Sequence, residues 1–274
     1  MKKLAIFLAL VVIVNFGVLY FQSNEIPEPL LNKGKEILTV IKESANDLAE
    51  PKEAPPTPEE PIETELPTSI LPPLPGLEKS DEFIRNWLIK FLTEPVVNNY
   101  FVSEKFLTRV VITVDNLSRK HAPRKYFPIK PVAGNFQVEG DSDHATIRST
   151  NDRRYLPYIR LFEKVDIDLM IDTYVYFYPL LQEAYEKLGF PKKKFHDRVL
   201  ETVSHLLDAP DVKGAIILHQ PRSMYEFKDP VYESMSAGHK IMVRIGEENQ
   251  SRIKRRLGSL RLKLIQKTKS LNKS

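Results

Sequence analysis

Cysteine is absent from the 274 residues. That excludes a disulfide framework, a thiol nucleophile and a cysteine-based zinc site, and it suits an oxidising compartment where stray thiols are a hazard. The common catalytic signatures are missing as well: G-x-S-x-G, G-x-x-x-x-G-K-[ST], H-E-x-x-H and G-x-G-x-x-G do not occur. Six histidines stand at positions 121, 144, 196, 205, 219 and 239, and none has another two, three or four residues away. A helical metal site is therefore not expected, and no cofactor is implied. Asp141-Ser-Asp143-His144 reads as a polar surface turn, with weak cation binding as the lesser alternative.

Charge of one sign is missing from two stretches. Residues 4–21, LAIFLALVVIVNFGVLYF, carry no charge in 18 positions. As a helix they span roughly 27 Å, close to the about 30 Å of a bilayer core. Lys2 and Lys3 precede the run, so the positive-inside rule keeps the N-terminus cytoplasmic and exports the remainder. The exit, FQSNE, lacks an A-x-A-like site, which favours an uncleaved anchor over a signal peptide. The expectation is a single-pass inner-membrane protein with the bulk of the chain in the periplasm. At the other end, residues 251–274 carry nine basic and no acidic side chains. Residues 22–79 carry 12 acidic and 5 basic, and residues 80–250 carry 24 of each.

The sequence thus divides into a cytoplasmic 1–3, an anchor 4–21, an acidic linker 22–79, a globular region 80–250 and a basic tail 251–274. A short helix is expected at 30–48. Residues 49–79 hold nine prolines and many glutamates, too little apolar surface to offset ordering entropy. A spacer is the reading, although its LPPLP run also suits an aromatic groove.

The globular region reads as mainly α, with one or two small β-hairpins. Its centre is Asp166–Phe190, where Leu169, Met170, Thr173, Phe177, Leu180, Leu181, Ala184 and Leu188 recur at helical spacing. Pro179 predicts a kink or break near Tyr178, and Gly189 with Pro191 predicts the stop. Tyr174, Tyr176, Tyr178 and Tyr185 read as packed rings with hydroxyls reaching water or a buried partner. Ser80 is the expected cap of a first helix that ends at Pro95. Ser103 would cap a second, although its VVITV run suits a strand equally. Residues 119–134, RKHAPRKYFPIKPVAG, look irregular, basic and proline-rich. FQVEGDSDHATIRS alternates like a hairpin, and AIILHQ with SMYEF like another. Asn151 would cap a helix through Phe162. Asp229-Pro230 opens a helix expected to run through Met242 to Gly246. Ile253, Leu257, Leu260, Leu264 and Leu271 then give the tail a heptad-like seam.

Several pieces, VDNLS (114–118), RRYLPY (153–158), YPLLQEAYEKLGFP (178–191), YEFKDPVYE (225–233) and GHKIMVRIGEEN (238–249), together resemble the domain of unknown function 3014 family. The resemblance covers roughly residues 70–265. It implies a membrane-tethered domain of Gram-negative bacteria and carries no activity, so no site residue transfers.

Candidate site residues are the polar side chains inside apolar segments: Arg109, Asp115, Asn116, Arg154, Tyr155, Glu183, Arg244 and Asn249. Buried charges need partners. One reading pairs them with one another, Arg154 or Arg244 with Asp115 or Glu183; the other gathers them in a polar ligand cleft. The tail has more than one reading. Its seam packs on the domain with a solvated basic face, or the face binds phospholipid heads, lipopolysaccharide or the acidic linker, or the seam pairs with a partner helix. Nucleic acid is disfavoured by export. The functional expectation is an anchored envelope protein that binds a protein or envelope-polymer partner. The alternative is an envelope hydrolase acting on cell-wall material through carboxylates such as Asp115 or Glu183 with an arginine.

Overall fold

The structure, a computed structural model, describes residues 71–131, 136–211, 213–221 and 224–271. The expected anchor at 4–21, the helix at 30–48 and the linker up to residue 70 lie outside the described residues. Nine helices occur among the described residues: α1 (Ser80–Leu92), α2 (Glu94–Tyr100), α3 (Phe106–Leu117), α4 (Thr150–Lys164), α5 (Ile167–Lys187), α6 (Phe195–Leu207), α7 (Pro230–Ser234), α8 (Ala237–Arg244) and α9 (Glu247–Leu271). Four short strands, β1 (Val138–Glu139), β2 (Ala145–Ile147), β3 (Ile217–His219) and β4 (Glu226–Phe227), complete the fold. The mainly helical class holds. The two expected hairpins form, but they are halves of one antiparallel sheet, because Ala145 of β2 pairs with Leu218 of β3. A small second core under the sheet gathers Ala145, Leu218, Phe227 and Val243.

The main core is built on α5. Met170, Tyr174, Phe177, Leu181 and Ala184 are buried along it, with α3, α6 and α9 packed around it. The break expected at Pro179 does not occur, and the helix runs unbroken from Ile167 to Lys187. An interior proline costs about 3 kcal/mol. Phe177 and Leu181, both 0% exposed, flank it, and burying such side chains contributes about 1.5–3 kcal/mol each, so packing wins. The stop forms as expected. Gly189, at φ 108°, donates its N–H to Glu186 O at 3.0 Å, and Phe190 donates to Tyr185 O at 3.3 Å. The Phe190 ring stacks on Tyr185 at 4.7 Å, closing the helix with an apolar contact.

Several helix starts differ from expectation because side chains serve distant partners. Ser80 lies inside α1, with its hydroxyl donating to Leu77 O at 2.7 Å. Asp81 accepts the N–H groups of Lys105 (2.6 Å) and Phe106 (3.0 Å), so it caps α3, where Ser103 was the expected cap. The VVITV run is helical, inside α3. Pro95 does not end α1; it opens α2. Asn151 lies one residue inside α4 and is 0% exposed. Its amide donates to Arg148 O at 2.9 Å and its oxygen accepts from Gln137 N at 3.0 Å, tying α4 to the chain before β1. Asp229 does cap α7 through Val231 N. That helix ends at Ser234, and Ser236 caps α8 by accepting from His239 N, so the single helix expected to Gly246 is two.

The tail is docked. Ile253, Leu257, Leu260 and Leu264 are at most 1% exposed, facing α4, α5 and α6. Four of its cations pair with the domain's own carboxylates: Arg252 with Glu163, Lys254 with Asp211, Lys263 with Asp168 and Lys267 with Asp172. The seam is therefore core and is not free for a partner helix. At the other end, Leu71, Leu74 and Leu77 pack on the core, and Tyr176 Oη donates to Pro72 O at 2.6 Å. Packing thus reaches back into residues whose composition matches the linker.

Candidate functional site

Helix α8 sits against the end of α3 more closely than a side chain would allow. A Cβ at Gly238 would lie 2.7 Å from Leu206 Cδ2 and 2.8 Å from Leu117 O. Beside it, Ala237 N–H donates to Arg119 O at 2.7 Å. Gly238→Ala is expected to destabilise the domain by about 1–3 kcal/mol through overpacking, read as a lower denaturant midpoint at unchanged slope. An unchanged midpoint would mean that α8 is free to shift.

Opposite α8 runs the segment from Lys120 to Phe127, which carries a 3₁₀ turn at Arg124–Tyr126. Arg109 braces this segment from behind, donating to Glu104 O at 2.8 Å and to Lys125 O. Thr113 Oγ1 donates to Tyr126 O at 3.1 Å. Between the segment and α8 lies a cleft of about 370 Å³. Its cationic lining is Lys120, Arg124, Lys240 and Arg244, with the His121 side chain beside them; Ala122, Phe127 and Ile241 supply an apolar part.

The cations in the cleft are unequally compensated. Lys240 pairs with Glu233 at 2.6 Å. Burial alone would raise the Glu233 carboxyl, but hydrogen bonds from Lys240 and the Phe227 N–H hold it below its ordinary value. Arg244 lies over the Phe227 ring at 4.5 Å and donates to Tyr225 O at 3.2 Å. Burial pushes its pKa down; Glu233 and Tyr155 oppose that, and Arg124 adds to it. Among the described residues, no carboxylate lies within 4.0 Å of the Lys120, Arg124 or Arg244 side-chain nitrogens.

Of the eight candidate residues, only Arg244 lines this cleft. The expected pairings of Arg154 or Arg244 with Asp115 or Glu183 are not made. Asp115, 4% exposed, accepts from Arg198 Nε at 3.0 Å and Arg119 Nη2 at 2.6 Å. Glu183 is a surface residue paired with Lys187 one turn on. Asn116 donates to Ile112 O within its own helix. Arg154 donates to Asn151 Oδ1 and lies over the rings of Phe136 (5.8 Å) and Tyr155 (5.9 Å). Tyr155 is 2% exposed, and burial pushes its hydroxyl pKa up. Asn249 donates to Asp152 O and Ile245 O, both at 2.9 Å, and joins α9 to α4. Lys120, Arg124 and Lys240 were not candidates; the basic, proline-rich run at 119–134 was the signal that marked two of them. Asp141 accepts from the backbone of Asp143 and His144, which holds its carboxyl below the usual range, as a polar turn does.

Two histidines distant in sequence meet behind α8. The rings of His205 and His239 stack at 3.9 Å, and His239 Nε2 donates to His205 O at 2.6 Å. His205 Nε2 lies 2.6 Å from the Ser236 hydroxyl that caps α8. Burial lowers the His205 pKa and His239 lowers it further; burial also lowers that of His196, whose Nδ1 meets Tyr174 Oη at 3.1 Å. A depressed histidine stays neutral in the folded state while the unfolded state takes up its proton near pH 6.5. Its contribution is thus complete above about pH 6.5 and lost as pH falls towards the folded value. For His196, 3% exposed, the loss approaches about 1.4 kcal/mol per pH unit; for the less buried His205 it is smaller. Melting temperature followed from pH 7.5 to 5 is expected to fall, and less steeply in His196→Gln and His205→Gln. Parallel curves for wild type and variants would show that the histidines do not carry the effect.

The chain matches the family described as protein of unknown function (DUF3014) over residues 106–261. That span is more than half of the chain, which belongs to this family. None of the curated proteins and none of the solved structures matches it.

Proposed function

We propose that this family member is a binding module of the bacterial envelope, held to the inner membrane by residues 4–21 and engaging a protein or envelope polymer through the cleft between residues 120–127 and α8. The anchor and its orientation rest on the sequence: an uncharged run of 18 residues behind Lys2 and Lys3. The observation that carries the binding reading is the cleft itself. Its cations line it together with an apolar patch, while four of the tail's cations pair with carboxylates of the domain itself. Concave sites with a few converging polar groups are where ligands bind.

The hydrolase alternative keeps no supporting observation. It needs a carboxylate presented to substrate. Asp115 is buried beneath two arginines, Glu183 pairs along its own helix, and neither lines the cleft.

The test places a photo-crosslinking residue at His121, in the cleft, or at Arg255, on the exposed side of α9, in the full-length protein in its native membrane. A discrete adduct from position 121 and none from 255 is the expected result. Equal labelling from both, or none from 121, would refute binding through the cleft. Protease added to spheroplasts of the same cells is expected to digest the domain; full protection would overturn its export.

A further inference from the structure

Several cations along the helices of this domain have a carboxylate partner. Arg85 meets Glu94, Arg198 meets Asp115 and Glu201, Lys187 meets Glu183, and four of the tail cations meet carboxylates of α4, α5 and the α6–β3 loop. What sets the cleft apart is that it gathers cations without such a partner in one place. Among the described residues, Lys120, Arg124 and Arg244 line one cavity with no carboxylate in ion-pairing range, and Lys240, beside them, already has Glu233. Gathering like charges around a concave surface is unfavourable unless an anion occupies it.

The arrangement also restricts the anion. Arg244 is held against the Phe227 ring and to Tyr225 O, so its guanidinium is oriented before any ligand arrives. Arg124 stands on a turn that Arg109 and Thr113 brace from beneath. Two guanidinium groups suit an oxyanion that accepts paired hydrogen bonds. A carboxylate brings one negative charge to three cations that have no carboxylate in ion-pairing range; a phosphomonoester brings about −1.5 to −2 near neutral pH, with three acceptor oxygens. A cavity of about 370 Å³ holds a phosphate with a small attached body, and Ala122, Phe127 and Ile241 offer that body an apolar contact.

We propose that the cleft between residues 120–127 and α8 binds a phosphomonoester, with Arg124 and Arg244 gripping the phosphate oxygens and Lys120 adding charge at the mouth. This names the ligand class of the binding reading above and rests on it. The phosphate belongs either to a soluble phosphorylated molecule or to a lipid headgroup, and the two are separable by experiment.

The test uses the full-length protein in nanodiscs of neutral phosphatidylcholine, titrated with inorganic phosphate and with glucose 1-phosphate, and in parallel the protein in nanodiscs containing phosphatidic acid. Binding is read by calorimetry and by broadening of the ³¹P resonance. Saturable binding is expected, weakened about tenfold or more in the exposed pair Lys120→Gln/Arg124→Gln, whose melting temperature should match wild type. Arg244→Gln should weaken it further. Saturation by glucose 1-phosphate in neutral discs assigns a soluble ligand; broadening only with phosphatidic acid assigns a headgroup. No saturable binding in any arm, or binding that Lys120→Gln/Arg124→Gln leaves unchanged, would overturn the proposal. If phosphate fails while position 121 still captures a partner, the cleft remains the binding site and only its ligand class is wrong.

Discussion

Removing residues 247–274 is expected to unfold the domain, not to release a tail. The composition of this segment, nine basic side chains and no acidic one in 251–274, suggests an appendage. Its packing says otherwise. Ile253, Leu257, Leu260 and Leu264 are at most 1% exposed, and Asn249 fastens the first turn of α9 to Asp152 O and Ile245 O. Deleting a buried aliphatic side chain costs about 2–5 kcal/mol. Four such losses, about 8–20 kcal/mol, match or exceed the about 5–15 kcal/mol that holds a typical domain together. Circular dichroism of the chain ending at Gly246 should show no cooperative melt. Leu260→Ala is the milder version and should lower stability by about 2–5 kcal/mol in denaturant titration. Lys263→Gln and Lys267→Gln, which touch only partly exposed pairs with Asp168 and Asp172, should change little. A cooperative melt in the truncated chain, or a larger effect from the lysines than from Leu260, would mean that charge holds the tail in place.

That contrast marks what the sequence makes legible and what it hides. Period and punctuation survive folding. Most of the α5 stripe, the Gly189 stop, the Asp229 cap and the tail's apolar seam from Ile253 to Leu264 appear where spacing puts them, because each depends largely on neighbours within a few residues; Leu188, the last of the stripe, falls past the helix end and is exposed. What fails depends on distant partners. Asp81 caps α3 from α1. Asn151 serves Gln137. Pro179 is overridden by the burial of Phe177 and Leu181. The candidate site failed for a related reason. Asp115, Tyr155 and Asn249 stand out as polar residues in apolar runs, yet such residues are held by the core they interrupt. Two of the three cleft cations without a carboxylate partner among the described residues, Lys120 and Arg124, lie in a proline-rich segment with no periodicity to mark it, and only the fold sets them opposite Arg244.

Asp115→Ala is expected to cost about 3–5 kcal/mol, the toll of leaving a buried ion unpaired. Asp115 is 4% exposed on α3. Arg198, with 13% of its side chain exposed, reaches from α6 to its carboxylate at 3.0 Å and also donates to Asp115 O and to Ser118 Oγ, the latter at 2.6 Å. Arg119 closes the other carboxylate oxygen at 2.6 Å. The pair thus bolts α6 to the end of α3, four residues before Arg119 O receives the Ala237 N–H at the edge of the cleft. Replacing both partners with apolar residues of similar size, Asp115→Leu with Arg198→Met, should recover most of the loss, since a buried pair is often no better than hydrophobic packing once its desolvation is removed. Denaturant midpoints of the two single variants and the double give the coupling directly. The same three proteins separate structure from chemistry. Photo-crosslinking from position 121 should fall with stability in Asp115→Leu and return in the double variant. Crosslinking that stays lost while stability returns would mean that the Asp115 charge is used for more than holding α3 to α6.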